Sequence, residues 1–410
     1  MALSRRLRER THLILALGLV IGVYLLLAYG AYSLFTSQIP SGNDFYSRWR
    51  GTRALLLEGK DPYSEEVTLE IQKGMFGRPA RGDEDQAAFA YPLYVSLFIL
   101  PLAFLPYPQA QALWLSGLVF LTLATVIITL RTFDWRPSSG GLLLLSLWCL
   151  LLYPTARSIL LGQFTILVLA LVALALWAME RGWDLLAGCS LALATIKPQI
   201  IFLLIFFLLL WALRWRRHRI PGGFLAAMGV LLLLPSFILP AWIPSFLSGL
   251  SRYQAYTSLY TGNRSPLGIL FDFLFPSQLS SWVTLLTSLM LGGYMIYVWV
   301  KALKSQKDTS QARFLTIIIT LLIPVQTGTT NQVLLLLPLI FWLSRWTKRW
   351  WVAISLSVAL LVGPWALFLA TVKGDAEQPV MFLLLPLFAL CVFLALRLSQ
   401  GCALGGSNEA

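Results

Sequence analysis

Apolar runs of close to twenty residues recur along this chain of 410 residues, and they restrict its fold more than any other feature. A helix of about 20 apolar residues covers the ~30 Å hydrocarbon core of a bilayer. Composition agrees, with 58% of residues hydrophobic and only 12% charged. A soluble domain carries roughly 25% charge. The expected class is an all-α polytopic membrane protein, with a single integral-membrane domain over residues 1–410.

The net charge of +13 would point to nucleic acid in a soluble protein. Here the cations gather in short runs between apolar segments: Arg5 to Arg10, Arg214 to Arg219, Lys301 to Arg313 and Arg345 to Arg349. That is the positive-inside pattern, which sets orientation and gives no reason to invoke nucleic acid. It places both termini in the cytoplasm. Residues 13–35 are too long for a signal-peptide core and read as an uncleaved first membrane helix. No cysteine lies in the long polar stretch that follows, so no disulfide framework staples it. His12 and His218 both sit beside basic runs, which excludes a Ser-His-Asp triad or a His-ligated zinc on the outer face.

The first external loop is expected over about 36–90, carrying a short amphipathic helix from Tyr46 to Leu57 that stops at Gly59. Asp61-Pro62-Tyr63 reads as a turn. Gly74 to Gln86 reads as a mobile hairpin or lid. Tyr91 to Leu105 is apolar but about 15 residues long, and a helix of that length covers roughly 22 Å. It is expected to dip into the outer leaflet and return, which also keeps Arg131, Arg136 and Arg181 inside. Apolar segments follow at about 109–130, 141–156, 162–180, 184–196, 198–214 and 222–240. After a second external loop at about 241–280 come 281–300, 314–326, 333–344, 351–371 and 380–397, with the tail 398–410 inside. That makes roughly twelve crossings plus one dipping segment. Breaks at Leu161-Gly162-Gln163, Lys197-Pro198-Gln199 and Thr327 to Gln332 are expected to face the outer leaflet with Asp44. Irregular backbone at membrane depth survives only where protein or a wet cavity satisfies it.

Asp44, in Asn43-Asp44-Phe45-Tyr46, is the leading candidate for chemistry. A carboxylate there is either a general base for an acceptor hydroxyl or an N-cap for the helix it precedes. Arg48, one turn on, is its ion-pair partner or a phosphate ligand. Lys197 lies between two apolar runs, where it meets a lipid phosphate or snorkels to a headgroup. Gln163 hydrogen-bonds a sugar or satisfies nearby backbone, and Arg157 is a further phosphate candidate. Arg252 and Arg264 stand among Tyr253, Tyr256 and Tyr260, which suits sugar stacking and phosphate binding as well as a simple interfacial belt. Asp83-Glu84-Asp85 has the form of a metal-holding Asp-x-Asp, a triplet also common in solvated loops; a divalent metal is possible, but no cofactor is assigned. Intramembrane acids are scarce, with Glu180, Asp184 and Asp272 the main ones, which disfavours a proton-coupled transporter.

Several motifs together resemble those of glycosyltransferase family 87, also known as DUF2029, within the GT-C superfold. The matching pieces are Asp44-Phe45-Tyr46, Ala54 to Tyr63, Tyr91-Pro92-Leu93, Pro101 to Pro106, Gly162-Gln163, Ala187-Gly188 and Lys197-Pro198-Gln199. They run in the family's order over about the first 215 residues, and the second half matches in hydropathy only. The resemblance implies a GT-C fold and a plasma-membrane enzyme with an extracytoplasmic active site. It implies a polyprenyl-phosphate sugar as donor, mannose in the similar alpha-1,2-mannosyltransferases, and a glycolipid or cell-envelope glycan as acceptor. It maps the catalytic aspartate onto Asp44. The expected substrate-binding residues are Tyr46, Arg48, Tyr63, Tyr91, Arg157, Gln163, Lys197, Arg252, Arg264 and Asn331. Where relatives carry a histidine in a late break, this chain has Asn331 and Gln332. The competing class is a lipid-linked saccharide transporter or flippase without bond chemistry.

Overall fold

The computed structural model describes residues 2–38, 44–82, 84–261, 264–306, 309–324, 328–345, 350–372 and 377–405. Among them every regular element is helical. Five helices are long and apolar enough to cross a membrane: Ile14–Thr36, Tyr107–Thr132, Arg219–Ser236, Ser277–Lys304 and Trp350–Thr371. A sixth span arises if the pair Ser139–Leu151 and Tyr153–Leu160, bent by 62°, counts as one. The remaining apolar helices are 10–17 residues long. Proline and glycine breaks divide the apolar sequence into these short pieces, so the expected twelve crossings are not matched by twelve helices of spanning length.

The chain forms two compact units. The first contains Met1–Leu121, Ile159–Gln163 and Ala241–Tyr253. Its N-terminal helix, Ala2–Ala31, continues as a π-helical turn over Tyr32–Thr36. Ile14, Leu19, Leu26 and Leu34 on it are exposed, as suits a lipid-facing surface. Tyr24 Oη donates to the Leu113 carbonyl at 2.9 Å, and Thr36 Oγ1 to that of Pro108 at 2.7 Å. The amphipathic helix expected at Tyr46–Leu57 runs from Asp44 to Glu58. Its inner face carries Phe45, Trp49, Thr52 and Leu55. Trp49 Nε1 and Arg53 NH1 donate to the Leu102 and Ala103 carbonyls, at 3.1 and 2.8 Å, of the short Ser96–Ala103 helix. Residues Leu93–Ala103 make one short apolar helical stretch, less than a bilayer thickness long.

Two loop expectations are corrected in this unit. Gly74 to Gln86 is no hairpin: Gly74–Phe76 is the last turn of the Glu65–Phe76 helix, closed by Gly77 at φ 69°. Gln72 then clasps the chain beyond, donating to the Gln86 carbonyl at 2.8 Å and accepting from Ala80 N at 2.9 Å. The expected second external loop begins instead with the 20-residue Trp242–Thr261 helix.

The second unit contains Thr122–Ser158, Phe164–Pro240 and Gln254–Ala410. Thr165–Glu180 lies at its centre, apolar and buried around almost its whole circumference. Asp184–Ala194 packs against Arg219–Ser236 through two glycines. A Cβ on Gly188 would stand 2.1 Å from the Ile220 carbonyl oxygen and 2.7 Å from Phe224 N. One on Gly223 would stand 2.7 Å from the Leu185 carbonyl oxygen. Small residues let helix backbones approach this closely, as is common between membrane helices. Arg217 and Asp184 clasp one end of this pair. The expected breaks at Lys197 and beyond Gly328 are present as 3-10 turns, Pro198–Ile200 and Thr329–Leu335; residues 325–327 lie outside the described chain.

Because the atoms facing Gly188 belong to backbone, they cannot swing away. Gly188→Ala is expected to cost about 1–3 kcal/mol, read as a lower midpoint in thermal unfolding of the detergent-purified protein. A variant as stable as the parent would contradict this packing.

Candidate functional site

In the first unit, burial of aromatic rings fixes the start of the Asp44–Glu58 helix. Phe45 is fully buried, stacked on Trp114 at 5.1 Å and on Tyr107 at 6.2 Å. The same Trp114 donates from Nε1 to the Gly162 carbonyl at 2.8 Å. Gly162 has φ 68°, a left-handed conformation that glycine adopts without a Cβ penalty. That turn ends the Tyr153–Leu160 helix and delivers Gln163, whose Nε2 donates to Asp44 Oδ2. The Asp44 carboxylate therefore binds a side chain 119 residues away rather than capping its own helix.

Asp44 Oδ1 lies 3.7 Å from Arg48 NH1. NH1 itself donates to the Asp44 carbonyl and to Ser47 Oγ, both at 2.6 Å. The guanidinium covers the Tyr91 ring at 4.4 Å. Burial acts to lower the Arg48 pKa, but Tyr91, Asp44, Tyr253 and Asp85 together hold it above its ordinary value. Arg48 Nε is buried and has no hydrogen-bond partner among the described residues.

Asp85 belongs to this cluster, a placement the motif reading missed. Its Oδ1 accepts from Ala87 N at 3.1 Å and from Tyr253 Oη at 3.3 Å. Burial and the neighbouring Asp44 push its carboxyl above the ordinary range, against the opposing pull of Arg48. The sequence signal that groups Asp85 with Asp83 is misleading. Asp83 lies outside the described residues, and Glu84 turns to Arg78 and to Arg81 N. Arg78 holds the Glu84 carboxyl down at about 2. Among the described residues no three His, Cys, Asp or Glu side chains are grouped as metal ligands.

Tyr46 and Tyr63 are held by contacts within the first unit. Tyr46 meets Tyr107 edge-on at 4.8 Å, and its hydroxyl occupies the space that a Cβ on Gly74 would need. Tyr63 Oη donates to the Tyr91 carbonyl at 2.7 Å. Arg252 reaches the Tyr63 carbonyl at 2.9 Å and Glu65 at 3.2 Å.

In the second unit, Lys197 is 7% exposed and donates from Nζ to Thr165 Oγ1 at 3.1 Å. Thr165 Oγ1 lies 3.5 Å from Asn331 Oδ1. Lys197, Thr165 and buried Asn331 thus form one polar group in an apolar core. Gln332, next to Asn331, is committed to the Met381 and Phe382 carbonyls, both at 3.0 Å. Arg157 is engaged by Glu377 at 3.1 Å. That glutamate also accepts from Tyr153 Oη and Thr329 Oγ1, each at 2.6 Å. Glu377 went unnoticed in the sequence because its partners lie 220 residues away or in another break. Arg264 is largely exposed and pairs with Asp272 at 2.7 Å. The side chains of Tyr256 and Tyr260 lie outside the described set.

The chain matches the model of glycosyltransferase family 87 over residues 89–325, more than half its length. Gln163, Lys197, Arg157, Arg252 and Arg264 fall inside the matched stretch; Asp44, Arg48 and Asp85 precede it. No curated protein and no solved structure matches the chain.

Tyr63 is buried, and burial lifts its phenol well above the ordinary value. Tyr63→Phe removes the donor to a buried carbonyl, at an expected cost of about 1–3 kcal/mol. A thermal-unfolding midpoint equal to that of the parent would show the bond to be dispensable.

Proposed function

The chain belongs to glycosyltransferase family 87, and on that premise we propose that it moves a hexose, mannose in our reading, from a polyprenyl phosphate to a glycolipid or cell-envelope glycan. The reaction takes place at the outer face of the plasma membrane, by a single displacement that inverts the anomeric carbon. Asp44 is the general base. The observation that carries this is the split of its carboxylate: Gln163 engages Oδ2, while among the described residues Oδ1 has only the 3.7 Å approach of Arg48. A base needs one oxygen held in place and the other available to a proton.

In the proposed step the acceptor oxygen attacks the anomeric carbon as its proton passes to Asp44. The bond from that carbon to the phosphate oxygen breaks, and the electron pair leaves with polyprenyl phosphate. The proton on Asp44 is later lost to water. The leaving group gains negative charge, which a fixed cation in a low-dielectric setting stabilises more than water does. Lys197 suits that role because it is a buried cation between apolar segments, and an ionisable residue at membrane depth is a functional-site candidate. Asn331 joins it through Thr165, as a neutral donor and acceptor where relatives carry a histidine. Arg157, Arg252 and Arg264 already hold carboxylates, and phosphate would have to compete for them.

Asp44→Asn keeps the shape and the contact with Gln163 but removes the base. In proteoliposomes supplied with polyprenyl-phosphate mannose it is expected to lose about 10²–10⁴-fold in transfer rate, with expression and thermal midpoint retained. Full activity in that variant would overturn the assignment. Release of free polyprenyl phosphate during turnover separates transfer from simple transport. Lys197→Gln is expected to slow the same reaction while the protein still folds.

A further inference from the structure

Asp85 is a carboxylate that the proposed reaction does not use. Its surroundings are built rather than incidental. Oδ1 is doubly engaged, by the Ala87 amide of its own loop and by the Tyr253 hydroxyl of the Trp242–Thr261 helix. Oδ2 has no protein partner among the described residues. Ala87, which closes the turn, has φ 38°, a left-handed conformation unusual for a residue with a Cβ. Such backbone persists only where surrounding contacts over-determine it, and it clusters at functional sites. Here the turn fixes the direction of the Asp85 carboxylate. Phe89, two residues further on, is buried with its ring where a Cβ on Gly51 would fall, so the loop is seated directly on the Asp44–Glu58 helix.

Five charged or titratable groups meet at this point, one of them Tyr91, whose ring lies under Arg48. Asp44 and Arg48 come from the Asp44–Glu58 helix, Tyr253 from the Trp242–Thr261 helix and Asp85 from the loop. One cation lies among two carboxylates, and among the described residues each carboxylate keeps one oxygen unclaimed by a short protein hydrogen bond. Paired acceptor oxygens of that kind fit neighbouring hydroxyls of a polyol. A phosphate would be repelled by both.

We propose that Asp85 Oδ2 accepts a hydrogen bond from a hydroxyl of the acceptor sugar adjacent to the one whose proton Asp44 removes, making the Asp44–Asp85 side of the cluster the acceptor subsite. This rests on the transferase reading above and adds to it a residue that selects the acceptor. Arg48 offsets part of the charge of both carboxylates without itself touching the sugar. A different role, Asp85 as a mere counter-ion of Arg48, would affect stability and turnover but would give no reason for the acceptor's affinity to change.

The test uses the full chain in vesicles of phosphatidylethanolamine and phosphatidylglycerol, with polyprenyl-phosphate mannose as donor and octyl α-mannoside as acceptor probe. Asp85→Asn is expected to raise the KM for octyl α-mannoside by about tenfold or more, since hydrogen bonds to a charged group are the stronger ones, and by much more than it lowers kcat. Asp44→Asn is expected to lower kcat instead. The parent protein supplies a second measurement that needs no variant. Because Asp85 takes up its proton at higher pH than an ordinary aspartate, the acceptor KM rises as pH falls from neutral, and Asp85→Asn abolishes that rise. Glu84, held down at about 2, stays ionised over that range. An unchanged KM, a loss confined to kcat, or a pH-independent KM in the parent each overturns the proposal. So does a parent that consumes donor without responding to the octyl glycoside. A parent that releases no polyprenyl phosphate overturns the donor reading itself, and the acceptor subsite falls with it.

Discussion

The indole of Trp114 holds the first unit's polar cluster in place. Its face stacks on Phe45, next to Asp44, and its N–H fixes the Gly162 carbonyl, next to Gln163. One rigid side chain thereby sets the position of both partners in the Asp44–Gln163 bond. Aromatic residues suit this work because they bury a large apolar area and still offer one polar handle. Further along, Trp49 and Arg53 tie the same helix to the Leu102 and Ala103 carbonyls. Asp44 and Gln163 are placed by an apolar stack.

A second principle runs through both units: nearly every buried charge has been given a partner. Arg157 is met by Glu377, Arg217 by Asp184 and Arg313 by Glu180. Such pairs satisfy costly groups and are weak evidence for added stability. They also narrow the choice of phosphate ligands. Lys197 is hydrogen-bonded to a threonine hydroxyl.

Much of the fold was legible because it follows from local rules. The helical class, the amphipathic helix after the first span and the breaks at Gly162, Lys197 and Thr329 all follow from apolar runs, glycine and proline. Asp44, Gln163 and Lys197 could be singled out because polar residues beside apolar runs are expensive and therefore informative. The count of spanning helices was less legible, since hydropathy does not show where a run is cut into pieces of 10–17 residues. Long-range partners were not legible at all. Asp85 looked like part of a metal triplet because its real neighbours, Tyr253 and Asp44, are distant in sequence, and Arg157 looked free because Glu377 follows it by 220 residues. The family resemblance was drawn from the first 215 residues, whereas the matched stretch extends to residue 325.

The glycine contact between Asp184–Ala194 and Arg219–Ser236 has a mechanical consequence. Sliding one helix past the other by a turn, about 5.4 Å, would bring Ala192 or Asp184 to the place where only a hydrogen atom fits beside the Ile220 carbonyl. The pair is thus a ratchet with a single tooth. Lys197 follows the end of the first of these helices by three residues. Its depth is therefore set by two absent methyl groups, and this part of the core cannot shift in small steps. Any movement of Lys197 must come from the turn that carries it.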